Sequence, residues 1–462
     1  MRLPQGIQAH TGPARSGGGN RQAGLRQHDI WATVLFFLFV FATFTGLNPL
    51  AERRGFSSAL DTGSTDIFRQ ICYLALLVGA ILLSSGKVLR NVPLPMLILF
   101  GWFAVTLLWS PVPDIAGRRL GLTIVIAITA FILSEALPLE RMVKNLCIVI
   151  AIMMVASLAA AMLVPALAIH QVGDTESTTI GDLRGIFYHK NILGGVAAIS
   201  VILAIYSIRC KIFLSWQAWG YLFATVLCLY FSRSKTSLGI SAIAVIMYFV
   251  WLRFHSLRHL IWVAPAFVVL VGALFSDRLA QFISDPDSLT GRGYIWHLTL
   301  EVFMKNPFGG VGYQSIFQTG GASAFAQMVN DRFFATLSHA HNSYLEIAAS
   351  TGLIGLALLI WALVSGTFQQ LAVARLPREL EALLTSISIF VVLHSFSESG
   401  LADRDRSTWV LIMLIIGGLN ARMRKLRNEG GPVQRAAMRR GRRLAPRYRA
   451  PPRPISNRSG VR

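Results

Sequence analysis

The chain has 462 residues, 54% hydrophobic and only 14% charged, with a formal net charge of +21 and a mean hydropathy of +0.55. A soluble domain carries roughly a quarter charged residues, so this composition excludes an ordinary water-soluble enzyme. Apolar runs of about 18 residues or more, each long enough to cross a bilayer core, recur along the whole length.

In chain order the runs fall near 30–48, 69–85, 93–109, 119–136, 143–168, 190–208, 216–231, 236–252, 258–275, 342–366, 380–397 and 407–420. They predict an all-α, polytopic integral membrane protein of about twelve transmembrane helices. The transmembrane domain would span 30–420, between an N-terminal tail over 1–29 and a basic C-terminal tail over 421–462. The first run lacks an A-x-A-like exit, which predicts a retained helix rather than a cleaved signal. Cys72, Cys147, Cys210 and Cys228 lie in or beside apolar runs, without disulfide or metal spacing, and read as small buried hydrophobes.

Lys87 and Arg90, Arg141 and Lys144, Arg209 and Lys211, Arg253 and Arg258, and Arg375 and Arg378 occupy alternate short loops. Basic residues of short loops mark the cytoplasmic side, so both termini are expected in the cytoplasm. The tail QRAAMRRGRRLAPRYRAPPRPISNR then lies beside the inner leaflet, where its charge suits anionic lipid rather than nucleic acid. Its Pro-rich composition with few apolar residues predicts disorder.

The same orientation puts three segments outside: QVGDTESTTIGDLRGIFYHKN, SRSKTS, and a long loop over 276–341. Loops this long are usually functional or disordered. This one carries a helix-like stretch over 293–305, rich in aromatic and aliphatic residues and closed by the chain breakers of NPFGGVG. A partly helical loop lying along the membrane surface is expected.

The next run, SHAHNSYLEIAASTGLIGLALLIWALV, is apolar except at its start. Asn342, Glu346 and Ser350 recur every fourth residue and share one helical face. Two readings stand: a polar stripe hydrogen-bonded inside the bundle, or a functional site. His341 opens the run at the lip of the bilayer, where an imidazole exchanges protons near neutral pH. Gly352 and Gly355 would let a neighbouring helix approach closely. Arg118, Arg119, Arg184, Arg233, Lys235 and Arg292 fall on the outer side, against the charge rule. Each alone is explained by snorkelling to lipid phosphate. Several converging on one cavity would bind an anionic ligand through forks matched to phosphate oxygens.

HNSYLEIAASTGLIG, with His-Asn, nine residues and then Gly-x-x-Gly, resembles the signature of the O-antigen ligase and polymerase family of bacterial envelope enzymes. WSPVPDIAGRR, LRGIFYHKNILGG, SRSKTS, GRGYIW with NPFGGVGYQSI, and SFSESG fit the same family in order, from Trp109 to Trp409. Within it the chain resembles the exopolysaccharide-polymerising branch. The resemblance implies a glycosyltransferase at the outer, periplasmic face of the inner membrane. Its donor is a glycan on undecaprenyl diphosphate, and its acceptor a glycan or lipid A-core hydroxyl. It implies His341 as base and Arg292, Arg233 and Arg184 as ligands of the leaving diphosphate. His339 competes with His341 for the base role. Glu346 either orients the catalytic pair or caps the polar stripe, with Asn342 beside it. Of Glu398, Asp403 and Asp405, only Glu398 fits the motif set, as a group orienting the acceptor. Other polysaccharide export proteins are possible partners, and no cofactor is implied. No carboxylate pair or His/Cys spacing suggests a metal, so transfer is expected to be metal-independent. The competing class is a secondary transporter or glycolipid flippase, with polar sites at mid-membrane built from repeats; the two halves show no convincing duplication.

Overall fold

The computed structural model describes residues 18–50, 67–84, 88–172, 179–254, 292–317, 337 and 339–444. The expected span at 258–275, much of the expected loop 276–341, and residues 1–17 and 445–462 lie outside the described residues. The main helices are α1 (Gly18–Thr45), α2 (Ile67–Leu83), α3 (Leu94–Thr106), α4 (Pro113–Ala136), α5 (Leu139–Leu163), α6 (Lys190–Arg209), α7 (Ser215–Phe231), α8 (Lys235–Arg253), α9 (Arg292–Lys305), α10 (Ser343–Leu363), α11 (Arg378–His394) and α12 (Ser407–Leu444). Among the described residues there is no strand, only an isolated bridge between Ile169 and Leu183.

Among the described residues, six helices are long and apolar enough to cross a membrane: Gln27–Thr45, Pro113–Ala136, Leu139–Leu163, Lys190–Arg209, Lys235–Arg253 and Ser343–Val373. The chain is a polytopic membrane protein. Six spans meet that test, against about twelve expected from hydropathy alone. Four of the others are short: α7 and α11 have 17 residues each, and Ile67–Leu83 and Leu94–Trp109 are apolar but short. The 258–275 run lies outside the described residues, and α12 is long but turns polar beyond its start. The helix α12 runs on to Leu444, into the stretch whose composition predicts disorder.

Proline sets several boundaries. Pro113 opens α4, and Pro93, Pro138 and Pro377 directly precede α3, α5 and α11. Proline suits a helix start because its fixed φ is helical and its missing N–H would have no partner there. The interior is mainly apolar, with scattered buried polar groups such as Asn91, Asn145 and His394. Trp409 is fully buried and meets Phe100 edge-on at 6.5 Å. Central α6 packs against α7 and α8, while α11 packs on α8, α12 on α4, and α9 and α3 on α10. Outward faces of α7 and α8 expose Trp216, Trp219, Phe223, Ile243 and Ile246, as lipid-facing helices do. Cys147 and Cys228 are buried, Cys72 half-buried and Cys210 exposed, all as free thiols.

Gly352 breaks α10, with φ 72° and ψ −178°. A break inside a bundle is tolerated where protein re-satisfies the freed backbone groups. Here the segment after α9 does so. The Val311 N–H donates to the Ala349 carbonyl at 3.1 Å, Gly312 N–H to Ser350 at 2.9 Å, and Leu353 N–H to Pro307 at 2.8 Å. Trp102 Nε1 donates to the Thr351 carbonyl at 2.9 Å. A Cβ on Gly352 would fall 1.9 Å from the Phe308 carbonyl oxygen. At Gly352, therefore, the close approach expected of a neighbouring helix is made by a loop.

Candidate functional site

His341 sits immediately before α10 with φ +53°, a left-handed conformation that costs a non-glycine residue on the order of 1–3 kcal/mol. The backbone is held there from both sides. The Ala340 N–H donates to Glu346 Oε2 at 3.0 Å, and the Asn342 N–H to Ser399 Oγ at 3.2 Å. Ser399 in turn donates to Glu346 Oε2 at 2.6 Å. Glu346 thus closes a bracket around His341 through the main chain. Asn342 is the N-cap of α10: its Oδ1 accepts from the Tyr344 and Leu345 N–H groups, both at 3.1 Å. Asn and Asp are favoured there because a short side-chain oxygen reaches these otherwise unpaired donors.

Glu398 is the hub. It lies in the turn between α11 and α12, fixed by Ser343 Oγ, which donates to the Glu398 carbonyl at 2.9 Å and accepts from Gly400 N–H at 2.8 Å. Its Oε2 faces His341 Nδ1 at 3.3 Å. Its Oε1 accepts from Arg292 Nη2 at 2.8 Å and from Asn191 Nδ2 at 3.0 Å. Arg292 Nη1 donates to the Ser397 carbonyl at 2.5 Å. Burial alone would raise the Glu398 carboxyl, but the His341 hydrogen bond and the nearby Arg292 and His339 hold it well below the usual carboxylate range. An ionised carboxylate only accepts, so the proton between the two groups belongs on His341 Nδ1. In a neutral ring with that tautomer, Nε2 carries the lone pair. His341, Glu398 and Arg292 all keep part of their side-chain surface open, at 19%, 15% and 16%.

His339 meets the His341 ring edge-on, with centroids 4.1 Å apart. Burial, then the neighbouring His341, lowers its pKa well below the ordinary histidine value. Its Nδ1 has no hydrogen-bond partner among the described residues. His339 is therefore a neutral ring packed behind His341 rather than a group held by the carboxylate.

The three arginines do not converge as one. Arg292 is joined to His341 through Glu398. Arg233, with φ +49° in the turn after α7, lies 3.4 Å from Asp182 Oδ1. Arg184 is buried, and its Nη1 donates to the Tyr188 carbonyl at 3.4 Å. Arg119 turns to the segment after α9, donating to the carbonyls of Gln314 and Phe317 at 2.6 and 2.9 Å. Asp403 and Asp405 serve the framework. Asp403 accepts from Gln314 and Arg406 at 2.6 and 2.9 Å, and Asp405 pairs with Arg69 at 2.5 Å. Burial opposes ionisation of Asp403, but Arg404 and Arg406 hold its carboxyl far below the usual range.

Sequence reasoning passed over Asn191 and Asp182. Asn191 stands inside the quoted LRGIFYHKNILGG, next to a charged residue and before an apolar run. That placement at the mouth of a span was the available signal. No group of three or more His, Cys, Asp or Glu side chains among the described residues is arranged to hold a metal ion.

Residues 220–360 match the O-antigen ligase family model. The matched stretch contains Arg233, Arg292, His341, Asn342 and Glu346, and it ends before Glu398. The chain is also 27% identical over 319 residues to the exopolysaccharide production protein ExoQ of Rhizobium meliloti (strain 1021), covering 65% of this chain and 71% of the relative. Both comparisons support the resemblance read from the motifs: this polytopic membrane protein is similar to the O-antigen ligase and polymerase family.

Proposed function

We propose that the chain transfers or polymerises a glycan carried on undecaprenyl diphosphate, in exopolysaccharide or O-antigen assembly. The reaction takes place at the periplasmic face of a bacterial inner membrane, with both termini cytoplasmic. The observation that carries this reading is the hub: one carboxylate, Glu398, holds His341 Nδ1, Arg292 and Asn191 together at the start of α10.

The chemistry needs a base, an acceptor hydroxyl and a stabilised leaving group. His341 Nε2 takes the hydroxyl proton, a step typically contributing about 10²–10⁴-fold. The hydroxyl oxygen bonds to the anomeric carbon while the bond from that carbon to the phosphate oxygen breaks. The lipid diphosphate departs with the electron pair, and fixed cations beside it lower the barrier. Glu398 holds the His341 tautomer and ring orientation, as the third member of a catalytic triad does. Arg292 keeps Glu398 ionised and in place. No step uses a metal, so activity should survive a chelator.

The test is cellular. A His341→Ala variant should insert at normal levels yet make no polymer or ligated glycan, while lipid-linked units accumulate. Wild-type glycan from a normally expressed His341→Ala protein would remove the base assignment. His339→Ala should be milder, and the reverse ranking would move the base to His339.

A further inference from the structure

Asp182 is among the most enclosed charged groups of the chain, and the hub around Glu398 makes no use of it. Its backbone is pinned on several sides: its carbonyl accepts from His170 N–H at 3.0 Å, its own N–H donates to Thr179, and the next residue's N–H donates to the Phe231 carbonyl at 2.9 Å. The side chain is 3% exposed and carries two cations, one on each oxygen. Lys190 Nζ is 2.5 Å from Oδ2, and Arg233 Nη1 is 3.4 Å from Oδ1.

The charges do not balance. Glu398 and Arg292 form a one-to-one ion pair, whereas Asp182 faces two cations that have no other ionic partner among the described residues. Burying a charge is costly unless it is matched, so a purely structural pair needs only Lys190. Arg233 adds a second positive charge, 69% exposed and at the looser distance. A surplus cation at a partly open position attracts an anion. The cluster also adjoins the reacting groups. Lys190 and Asn191 are consecutive residues at the start of α6; the first binds Asp182 and the second binds Glu398 at 3.0 Å. Any anion bridging Lys190 and Arg233 is therefore held beside the hub of His341.

Resting on the donor reading above, we propose that Lys190 joins Arg233 as a ligand of the donor's diphosphate, and that Asp182 is the positioning residue that presents the two cations together. Arg292, joined to Glu398 and to the Ser397 carbonyl, fixes the hub. Each phosphate of a lipid-linked diphosphate diester carries one negative charge, which two cations on a common carboxylate meet with a fork and a point charge.

The experiment measures binding of sugar-free undecaprenyl diphosphate to the purified full-length protein in nanodiscs, at two salt concentrations. Lys190→Gln and Arg233→Gln should each weaken binding by about tenfold or more and flatten its salt dependence. Lys190→Arg should stay within about threefold of wild type, since charge and reach persist. Arg292→Gln should bind within about threefold yet turn over slowly. Asp182→Asn should weaken binding about fivefold alone but add little in a Lys190→Gln, Arg233→Gln background, as residues acting through one another do. Monodispersity and thermal midpoint are followed for each variant, and if Lys190→Gln does not fold, Lys190→Arg and the salt slope decide. Wild-type binding by Lys190→Gln, or a loss confined to Arg292→Gln, overturns the Lys190 site. Unchanged or tighter binding by Asp182→Asn overturns its positioning role. Failure of the wild-type protein to bind undecaprenyl diphosphate would instead overturn the donor reading itself, and this site with it.

Discussion

Replacing Glu398 by Gln changes one atom type, and the geometry of the hub decides the consequence. Oε1 accepts from two donors, Arg292 and Asn191, while Oε2 faces only His341 Nδ1. An amide has one oxygen. Placing it at Oε1 preserves two hydrogen bonds and turns the NH₂ toward His341; the opposite placement sets the NH₂ against two donors. The first arrangement wins by a net hydrogen bond to a charged group, on the order of 1.5–3 kcal/mol. His341 Nδ1 must then accept, which moves its proton to Nε2 and removes the lone pair from the reacting side. Wrong-tautomer variants of catalytic triads lose about 10⁴-fold in kcat, and general-base removal costs about 10²–10⁴-fold. Glu398→Gln should therefore lower kcat by about 10²–10⁴-fold, with KM for the donor changed little. The assay is transfer from purified undecaprenyl-diphosphate glycan in nanodiscs, with variant quantity matched by a fluorescent tag. A kcat within about fivefold of wild type would show that the tautomer argument is wrong.

Three further outcomes rest on features outside the hub. Gly352→Ala places a Cβ 1.9 Å from the Phe308 carbonyl oxygen at a backbone conformation nearly reserved for glycine; it should cost about 3 kcal/mol or more and show as a large drop in thermal midpoint in detergent. Asn342→Ala removes the α10 cap and should cost about 1 kcal/mol, read by the same melt, while leaving the base itself in place. His339 has its folded pKa pushed below the unfolded value, so the unfolded chain takes up the proton first as pH falls. Stability tied to His339 is present above about pH 6.5 and declines below it, by at most about 1.4 kcal/mol per pH unit. A His339→Asn variant should lose that part of the acid slope in melts between pH 7 and 5, and an unchanged slope would count against a neutral His339.

What the sequence disclosed and what it hid divide by range. His341, Asn342 and Glu346 were legible because they lie within six residues, where helix periodicity and cap chemistry speak directly. The helical stretch after residue 291 and its stop at NPFGGVG were legible for the same reason, through local breakers. Glu398 was legible only as a motif member. Its function as a hub depends on contacts at separations of 57, 106 and 207 residues, to His341, Arg292 and Asn191. Asp182 stood in view between two apolar runs, but nothing local distinguishes it from Asp174 or Glu176 nearby; only its burial against Lys190 and Arg233 does. Gly352 misled in an instructive way. Small residues in apolar helices usually mean helix contact, and that statistical rule carries no information about the left-handed φ that the break imposes.

The break in α10 also bears on how the chain enters the bilayer. Until residues 307–312 are seated, the carbonyls of Ala349 and Ser350 and the Leu353 N–H lack the partners they have in the finished fold. Each such group left in hydrocarbon costs several kcal/mol. Residues 307–312 precede α10 in the chain but sit beyond its first turn in space, so the helix cannot mature in lipid alone in its broken form. It must either cross as a continuous rod and snap at Gly352 once the loop folds back, or wait beside the insertion machinery until the loop arrives. In both routes the lip that carries His341 is assembled late, after α3 and the loop are present to receive it.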